Sequence, residues 1–147
     1  MATVSILKKT TITPSVATAF NNLLRQVRRD TNINVSTAQW RRIVRQDNFR
    51  IFVVYGPRRS QIVGMAILRW HELPGRKTAF LDDLVVDEKH RGKGLGTKLL
   101  TSITAWAKSH DIDRIDFTSG HDRTSAHWLY QKFGWQRRNT KVYRLML

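Results

Sequence analysis

The sequence predicts an α/β chain of the α+β type, with a mixed, mostly antiparallel central sheet flanked by about four helices in a single domain, 1–147. Two observations carry this. Three strand-like runs between positions 50 and 86 are punctuated by Gly56-Pro57 and Pro74-Gly75, the pattern of an antiparallel meander. Two helical periodicities precede the meander, and a strand–helix–strand–helix–strand order follows it. No repeat, low-complexity stretch or Pro/Gly/Ser-rich linker divides the 147 residues, and 41% hydrophobic with 25% charged residues is a globular balance suited to one core.

Residues 4–9 predict an opening strand. Thr13-Pro14 then reads as an N-cap followed by proline at the first helical position, where its missing N–H removes no helical bond. Val16, Phe20, Leu23, Leu24 and Val27 recur at helical spacing and carry an amphipathic helix to about Arg29. Ser36 with Gln39 is a capping box opening a short second helix through Trp40, Ile43 and Val44. Both helices hold arginines off the apolar stripe (Arg25, Arg28, Arg29; Arg41, Arg42, Arg45), either a solvated face or a basic patch.

The period then changes to that of strands at 51–55, 62–70 and 79–86. After Gly94, the residues Leu95, Leu99, Leu100, Ile103, Trp106 and Ala107 mark the buried side of a third helix. Residues 115–117 read as a strand. Ala126, Leu129, Tyr130 and Phe133 form a fourth helix closed by Gly134, and 142–147 alternates as a final strand. The tryptophans Trp40, Trp70, Trp106, Trp128 and Trp135 fall one per element, without the interleaved aromatic and basic pattern of a base-stacking platform.

Charge narrows the partners. Lys and Arg number 26 against 11 Asp and Glu, a net charge of +15, and the first 71 residues hold only Asp30 and Asp47 against twelve basic residues. Such a field attracts nucleic acid, phosphorylated ligands or acidic protein segments and repels a polycationic substrate. The chain has no cysteine, which excludes disulfides, thiolate metal sites and a cysteine nucleophile. No histidine cluster has metal-ligand spacing, so no metal is expected. No apolar run nears the roughly 20 residues that cross a bilayer, and the start lacks a secretory apolar stretch; the expectation is a cytoplasmic protein with no membrane partner. Oligomeric state stays open, a homodimer included.

The chemistry concentrates at Val85-Val86-Asp87-Glu88-Lys89-His90-Arg91-Gly92-Lys93-Gly94-Leu95-Gly96-Thr97. A buried strand ends, three glycines follow within five positions, and an amphipathic helix starts at once. The glycines permit positive φ and close approach to the backbone, while the helix start offers unpaired N–H groups. Together these make an anion cradle suited to a phosphate or diphosphate, with Arg91 and Lys93 adding charge. A Walker-type loop is excluded because no Gly-Lys-Ser/Thr ending is present. The spacing of Gly92, Gly94 and Gly96 also departs from the dinucleotide fingerprint.

Arg91-Gly92-Lys93-Gly94-Leu95-Gly96 resembles the Gln/Arg-x-x-Gly-x-Gly/Ala signature of the GCN5-related N-acetyltransferase superfamily. Asp82-Asp83-Leu84-Val85-Val86-Asp87 is similar to the strand that precedes it there. Ala126, Leu129, Tyr130, Lys132, Gly134 and Trp135 resemble the family's second motif, with Trp135 where Phe is usual. The resemblance covers about 50–147 well and the first 50 residues only in outline. It implies acetyl-CoA as cosubstrate, with the diphosphate on Arg91, Gly92, Lys93, Gly94, Leu95, Gly96 and Thr97. The pantetheine would run along backbone groups of Leu84, Val85 and Val86 that a splayed sheet leaves unpaired. Arg123 stands where the family often has Asn, and Asp122 or Ser125 would substitute for that contact.

The resemblance also implies acetyl transfer to a primary amine on a small molecule or protein. Without cysteine the attack is direct, and the N–H of Val85 or Val86 would polarise the thioester carbonyl. Tyr130 stands where relatives carry the acid for the departing thiolate. Asp82 and Asp83 are the candidate bases, with a structural ion pair to an arginine as the alternative for either; regular strand geometry would turn at most one into a cleft. Glu72, His71, His121 and His127 are weaker candidates. The positive field points to an amine on an anionic carrier: an acidic protein segment, a phosphorylated amino sugar or an aminoacyl-tRNA. The competing expectation is a catalytically weak module of this fold that binds nucleic acid through its basic N-terminal helices.

Overall fold

A computed structural model describes residues 3–7, 11–58 and 60–147. They form two compact units, Met1–Phe117 and Thr118–Leu147.

In the first unit, helix α1 (Pro14–Arg28) begins where the sequence places it. Thr13 Oγ1 accepts from the N–H of Val16 at 3.3 Å, and Pro14 occupies the first turn. Helix α2 (Thr37–Val44) is capped by Ser36 Oγ, which accepts from the N–H of Gln39 at 3.1 Å. Phe20 and Trp40 pack edge to face with centroids 5.0 Å apart. Asn21 is buried but satisfied: its Nδ2 donates to the carbonyl of Val35, and its Oδ1 accepts from Val35 N–H and Trp40 Nε1. This amide ties α1 to the segment entering α2.

Strands β1 (Val4–Ile6), β2 (Phe49–Tyr55), β3 (Ile62–Leu73), β4 (Arg76–Val86) and β5 (Arg114–Asp116) form one sheet in the order β1-β2-β3-β4-β5. The first three pairings are antiparallel. β5 is parallel to β4, because helix α3 (Leu95–Lys108) crosses between them. Ile51, Val53, Met65, Ile67 and Val85 share a core cluster with Phe20, Leu23, Leu24 and Trp40, so one sheet face holds α1 and α2. Strand alternation turns Phe52 the other way, where its ring lies 6.1 Å from Trp106 of α3.

The second unit carries helix α4 (Thr124–Lys132). Gly134 follows it at φ 78, its N–H donating to the carbonyl of Gln131 at 2.9 Å, as the sequence predicts for a closing glycine.

Two expectations are corrected. The opening strand ends at Ile6, and positions 8 and 9 of the expected run lie outside the described residues. Residues 142–147 form no strand, and Val142, Tyr143, Leu145, Met146 and Leu147 are exposed. Alternation sorts side chains to two faces, but a strand exists only where a neighbour completes its ladder. The tryptophans do fall no more than one to an element, and two of them, Trp70 and Trp106, meet in space with centroids 4.9 Å apart.

Candidate active site

The site begins with two irregularities in β4. Met65 pairs with Val85 and Ile67 with Asp82, so Asp83 and Leu84 together face the single residue Ala66. This is a β-bulge, and Asp83 takes φ 45 within it. The second irregularity is the edge. β5 pairs with Thr78, Ala79 and Phe80 and then stops, so β4 runs on from Leu81 to Val86 without that neighbour. Backbone groups of the Leu84–Val86 stretch that point away from β3 are thereby left outside the ladder with β5. Val85 is buried in the core cluster, which fixes the strand beneath this open edge.

Beyond Val86 the chain makes a braced turn. Asp87 Oδ1 accepts from the N–H of Lys89 at 2.9 Å and caps a 3-10 turn, Glu88–His90. Gln26 of α1 holds the turn from the helix side, donating to Asp87 Oδ2 at 3.3 Å and accepting from the N–H of Glu88 at 3.1 Å. Burial opposes ionisation of Asp87, but hydrogen bonds from His90, Gln26 and the Lys89 amide outweigh it and hold the carboxyl below its ordinary value. Arg91 Nε donates to the carbonyl of Val86 at 3.1 Å, closing the turn on itself.

Gly92 and Gly94 follow at φ 75 and 73. Side chains other than glycine are strained there, and a Cβ at either position would meet nothing of the protein within 4 Å. Gly94 is the N-cap of α3 and supplies no side-chain acceptor. The first-turn amides of Leu95, Gly96 and Thr97 therefore carry the partial positive charge of a helix start with no side chain capping them. Arg91 and Lys93 flank them, both exposed. Amide donors, open space before two glycines and two cations fit a diphosphate.

The two aspartates of β4 are each engaged by an arginine. Asp82 Oδ2 accepts from Arg69 Nε at 2.7 Å, and Arg69 also lies over the Phe80 ring at 4.8 Å. Asp83 receives two bonds from Arg28, the last residue of α1: Nε donates to Oδ1 at 2.9 Å and Nη2 donates to Oδ2. Hydrogen bonding to Asp83 raises the Arg28 pKa above its usual value, against the opposing pull of burial. The regular-strand geometry expected of this pair is broken by the bulge.

His71 and Glu72 stand far along the β3–β4 hairpin, opposite Thr78 and Lys77, at the end of β4 away from the glycine turn. His71 Nε2 lies 3.2 Å from Thr78 Oγ1. In the second unit, Tyr130 is half-buried on α4 with its ring 6.2 Å from that of Trp135. Burial pushes its phenol above the ordinary value, and the Arg123 charge opposes this more weakly. His127 Nε2 lies 3.2 Å from Ser119 Oγ, and His121 is exposed. Among the described residues no group of three His, Cys, Asp or Glu could hold a metal ion, and no helix is long and apolar enough to cross a membrane.

Sequence reading missed the bulge at Asp83 and the roles of Arg28, Arg69 and Gln26. The one local trace was two acids inside an apolar strand; their partners are distant in sequence and left no pattern.

Comparison with known proteins agrees with this geometry. The N-acetyltransferase YobR of Bacillus subtilis, itself uncharacterised, is 35% identical over 65 residues, which is 44% of this chain and 26% of that protein. The chain thus matches about a quarter of this relative's length. Solved structures similar in fold include an aminoglycoside acetyltransferase from an uncultured soil metagenomic sample, in complex with sisomicin (TM-score 0.86, 17% identity, 99% of this chain and 96% of that one). Glucosamine-6-phosphate N-acetyltransferase from Arabidopsis thaliana is similar at TM-score 0.78 and 18% identity, covering 99% and 98% of the two chains. Ribosomal-protein-alanine N-acetyltransferase from Brucella melitensis biovar Abortus 2308 is similar at TM-score 0.78 and 15% identity, covering 99% of each. The sequence model of the acetyltransferase (GNAT) family matches residues 18–135, taking in the bulged strand, the glycine turn and the helix it opens. On that match this chain belongs to the acetyltransferase (GNAT) family.

Proposed function

We propose that the chain is an acetyl-CoA-dependent N-acetyltransferase that moves an acetyl group directly to a primary amine. The observation that carries this is the junction of an open β4 edge with an uncapped helix start bearing Gly92 and Gly94 at positive φ. Acetyl-CoA supplies the acyl group as an activated thioester. The amides of the turn from Arg91 to Thr97, with the charges of Arg91 and Lys93, hold the diphosphate, and backbone groups of Leu84, Val85 and Val86 hold the pantetheine. The N–H of Val86, which the register turns away from β3, stabilises negative charge on the carbonyl oxygen. Asp82 or Asp83 takes the amine proton, directly or through water. Tyr130 is assigned the acid on its motif position. Burial raises its pKa, so the phenol is protonated at neutral pH and has a proton to donate, as a weaker acid than a free phenol. With no cysteine in the chain, no acyl-cysteine forms.

The acceptor is an amine on an anionic carrier, since a net charge of +15 repels polycations and attracts acidic groups. Among the similar structures, the glucosamine-6-phosphate enzyme has an acceptor of this kind by its name, whereas aminoglycosides are polycationic. An acidic peptide, a phosphorylated amino sugar and an aminoacyl-tRNA are the classes to test, in a cytoplasmic setting. Thiol release from acetyl-CoA across such a panel is expected to exceed release with a polyamine. Tight CoA binding without turnover on any amine would defeat the reading.

One observation favours a second reading, a module that binds nucleic acid. Arg28, Arg29, Arg41, Arg42 and Arg45, on or next to α1 and α2, are exposed, a basic face of the type that tracks a phosphate backbone. Salt-sensitive nucleic-acid affinity without acetyl transfer would favour this reading.

A further inference from the structure

We infer that Asp83 is a positioning residue, locked by Arg28 to fix the bulge in β4, and that Asp82 is the carboxylate left for proton transfer. The inference rests on the proposed function and deepens it. Among the described residues, the non-glycine residues with positive φ are Arg29, Asp83 and Asp111. Arg29 ends α1 and Asp111 lies in the turn after α3, where the left-handed region is ordinary. Asp83 alone of the three lies inside a strand, so its conformation needs holding.

Arg28 supplies that hold. Its guanidinium engages both carboxylate oxygens of Asp83, whose side chain is only 13% exposed. Both oxygens of Asp83 are thereby engaged by one guanidinium, which crowds an incoming amine away from them. Asp82 differs. Arg69 Nε bonds its Oδ2, and the side chain is 29% exposed against 13% for Asp83.

The anchor is rigid, because α1 is fixed in the core by Phe20, Leu23, Leu24 and Val27. The same helix grips the far side of the segment through Gln26, which bonds Asp87 and the N–H of Glu88. α1 therefore holds β4 at Asp83 and again at Asp87, one hold before and one after the Leu84–Val86 stretch that polarises the carbonyl.

The experiment pairs kinetics with amide hydrogen exchange on the full chain. Glycine accepts φ 45 without strain, so Asp83→Gly removes the carboxylate and keeps the bulge accessible. Asp83→Gly is expected to lower kcat by less than about tenfold and to keep the acid limb of the pH–rate profile, whereas Asp82→Asn lowers kcat about 100-fold or more and removes that limb. Arg28→Gln is expected to lower kcat with little change in KM for acetyl-CoA, to be partly rescued by Arg28→Lys, and to speed amide exchange across 82–86 by about tenfold while α3 is unaffected. Loss of the acid limb in Asp83→Gly would overturn the inference. So would unchanged exchange in Arg28→Gln, a result that needs no acetyl transfer and is separate from failure of the proposed activity, which the wild-type amine panel reads.

Discussion

Trp70 of β3 and Trp106 of α3 stand with ring centroids 4.9 Å apart, tilted by 51°. His110 extends the stack from the other side of Trp106 at 3.8 Å, and its Nδ1 lies 2.8 Å from the Trp106 carbonyl oxygen. The cluster clamps the C-terminal end of α3 to the sheet, and so holds the direction of the helix whose opposite end bears the uncapped amides.

Trp106→Ala is therefore expected to destabilise the fold by about 2–4 kcal/mol, the range for losing a large, partly buried aromatic. Trp106→Phe should recover most of this. Urea unfolding followed by circular dichroism measures both, and equal stability of the alanine variant and wild type would show that the cluster does not hold the helix.

Gly94→Ala separates the two reasons for glycine at the turn. Because a Cβ there meets nothing of the protein, the folded chain bears only the left-handed backbone penalty, about 1 kcal/mol. CoA affinity is expected to fall by more than that penalty explains, and Gly94→Glu should abolish binding by filling and charging the cradle. Isothermal titration of each variant beside its melting curve makes the comparison.

Asp87 gives a pH signature. Its pKa is lowered in the folded chain, so its contribution to stability is fully present above the ordinary carboxyl value near 3.8 and is lost as pH falls through the lower folded value. The stability gap between wild type and Asp87→Ala, about 1 kcal/mol for a lost cap, should persist at pH 5–7 and close as pH falls below the ordinary carboxyl value. A gap that widens on acidification would contradict the assignment.

Tyr130→Phe should lower kcat by about 100-fold with little change in CoA affinity, if the phenol donates the leaving-group proton. With its pKa raised, the phenol stays protonated at least to its ordinary value near 10, so an alkaline fall in rate below that pH belongs to another group. Stopped-flow thiol release over a pH series reads this. Full activity of the phenylalanine variant would return Tyr130 to a packing role.

The parts of this chain legible in its sequence are those whose causes are local. Thr13 with Pro14, and Ser36 with Gln39, mark helix starts because a cap bonds an amide three positions on. Gly92 and Gly94 mark the turn because positive φ is a property of single residues. The bulge at Asp83 was not legible, since it is set by pairing with β3 and by Arg28, 55 positions earlier. The meeting of Trp70 and Trp106 is not legible, because α3 crosses the sheet before it brings them together. Residues 142–147 misled for the converse reason: they alternate, but alternation carries no information about a partner.

The central claim is that amides at the start of α3, presented by Gly92 and Gly94, hold the diphosphate of CoA. Calorimetric titration of the folded wild-type chain with CoA, run beside Gly94→Glu, tests it most directly. The account predicts saturable heat with a Kd well below about 1 mM for wild type and none for the variant. Absence of heat from wild type at millimolar CoA, or equal binding by the two proteins, would contradict it.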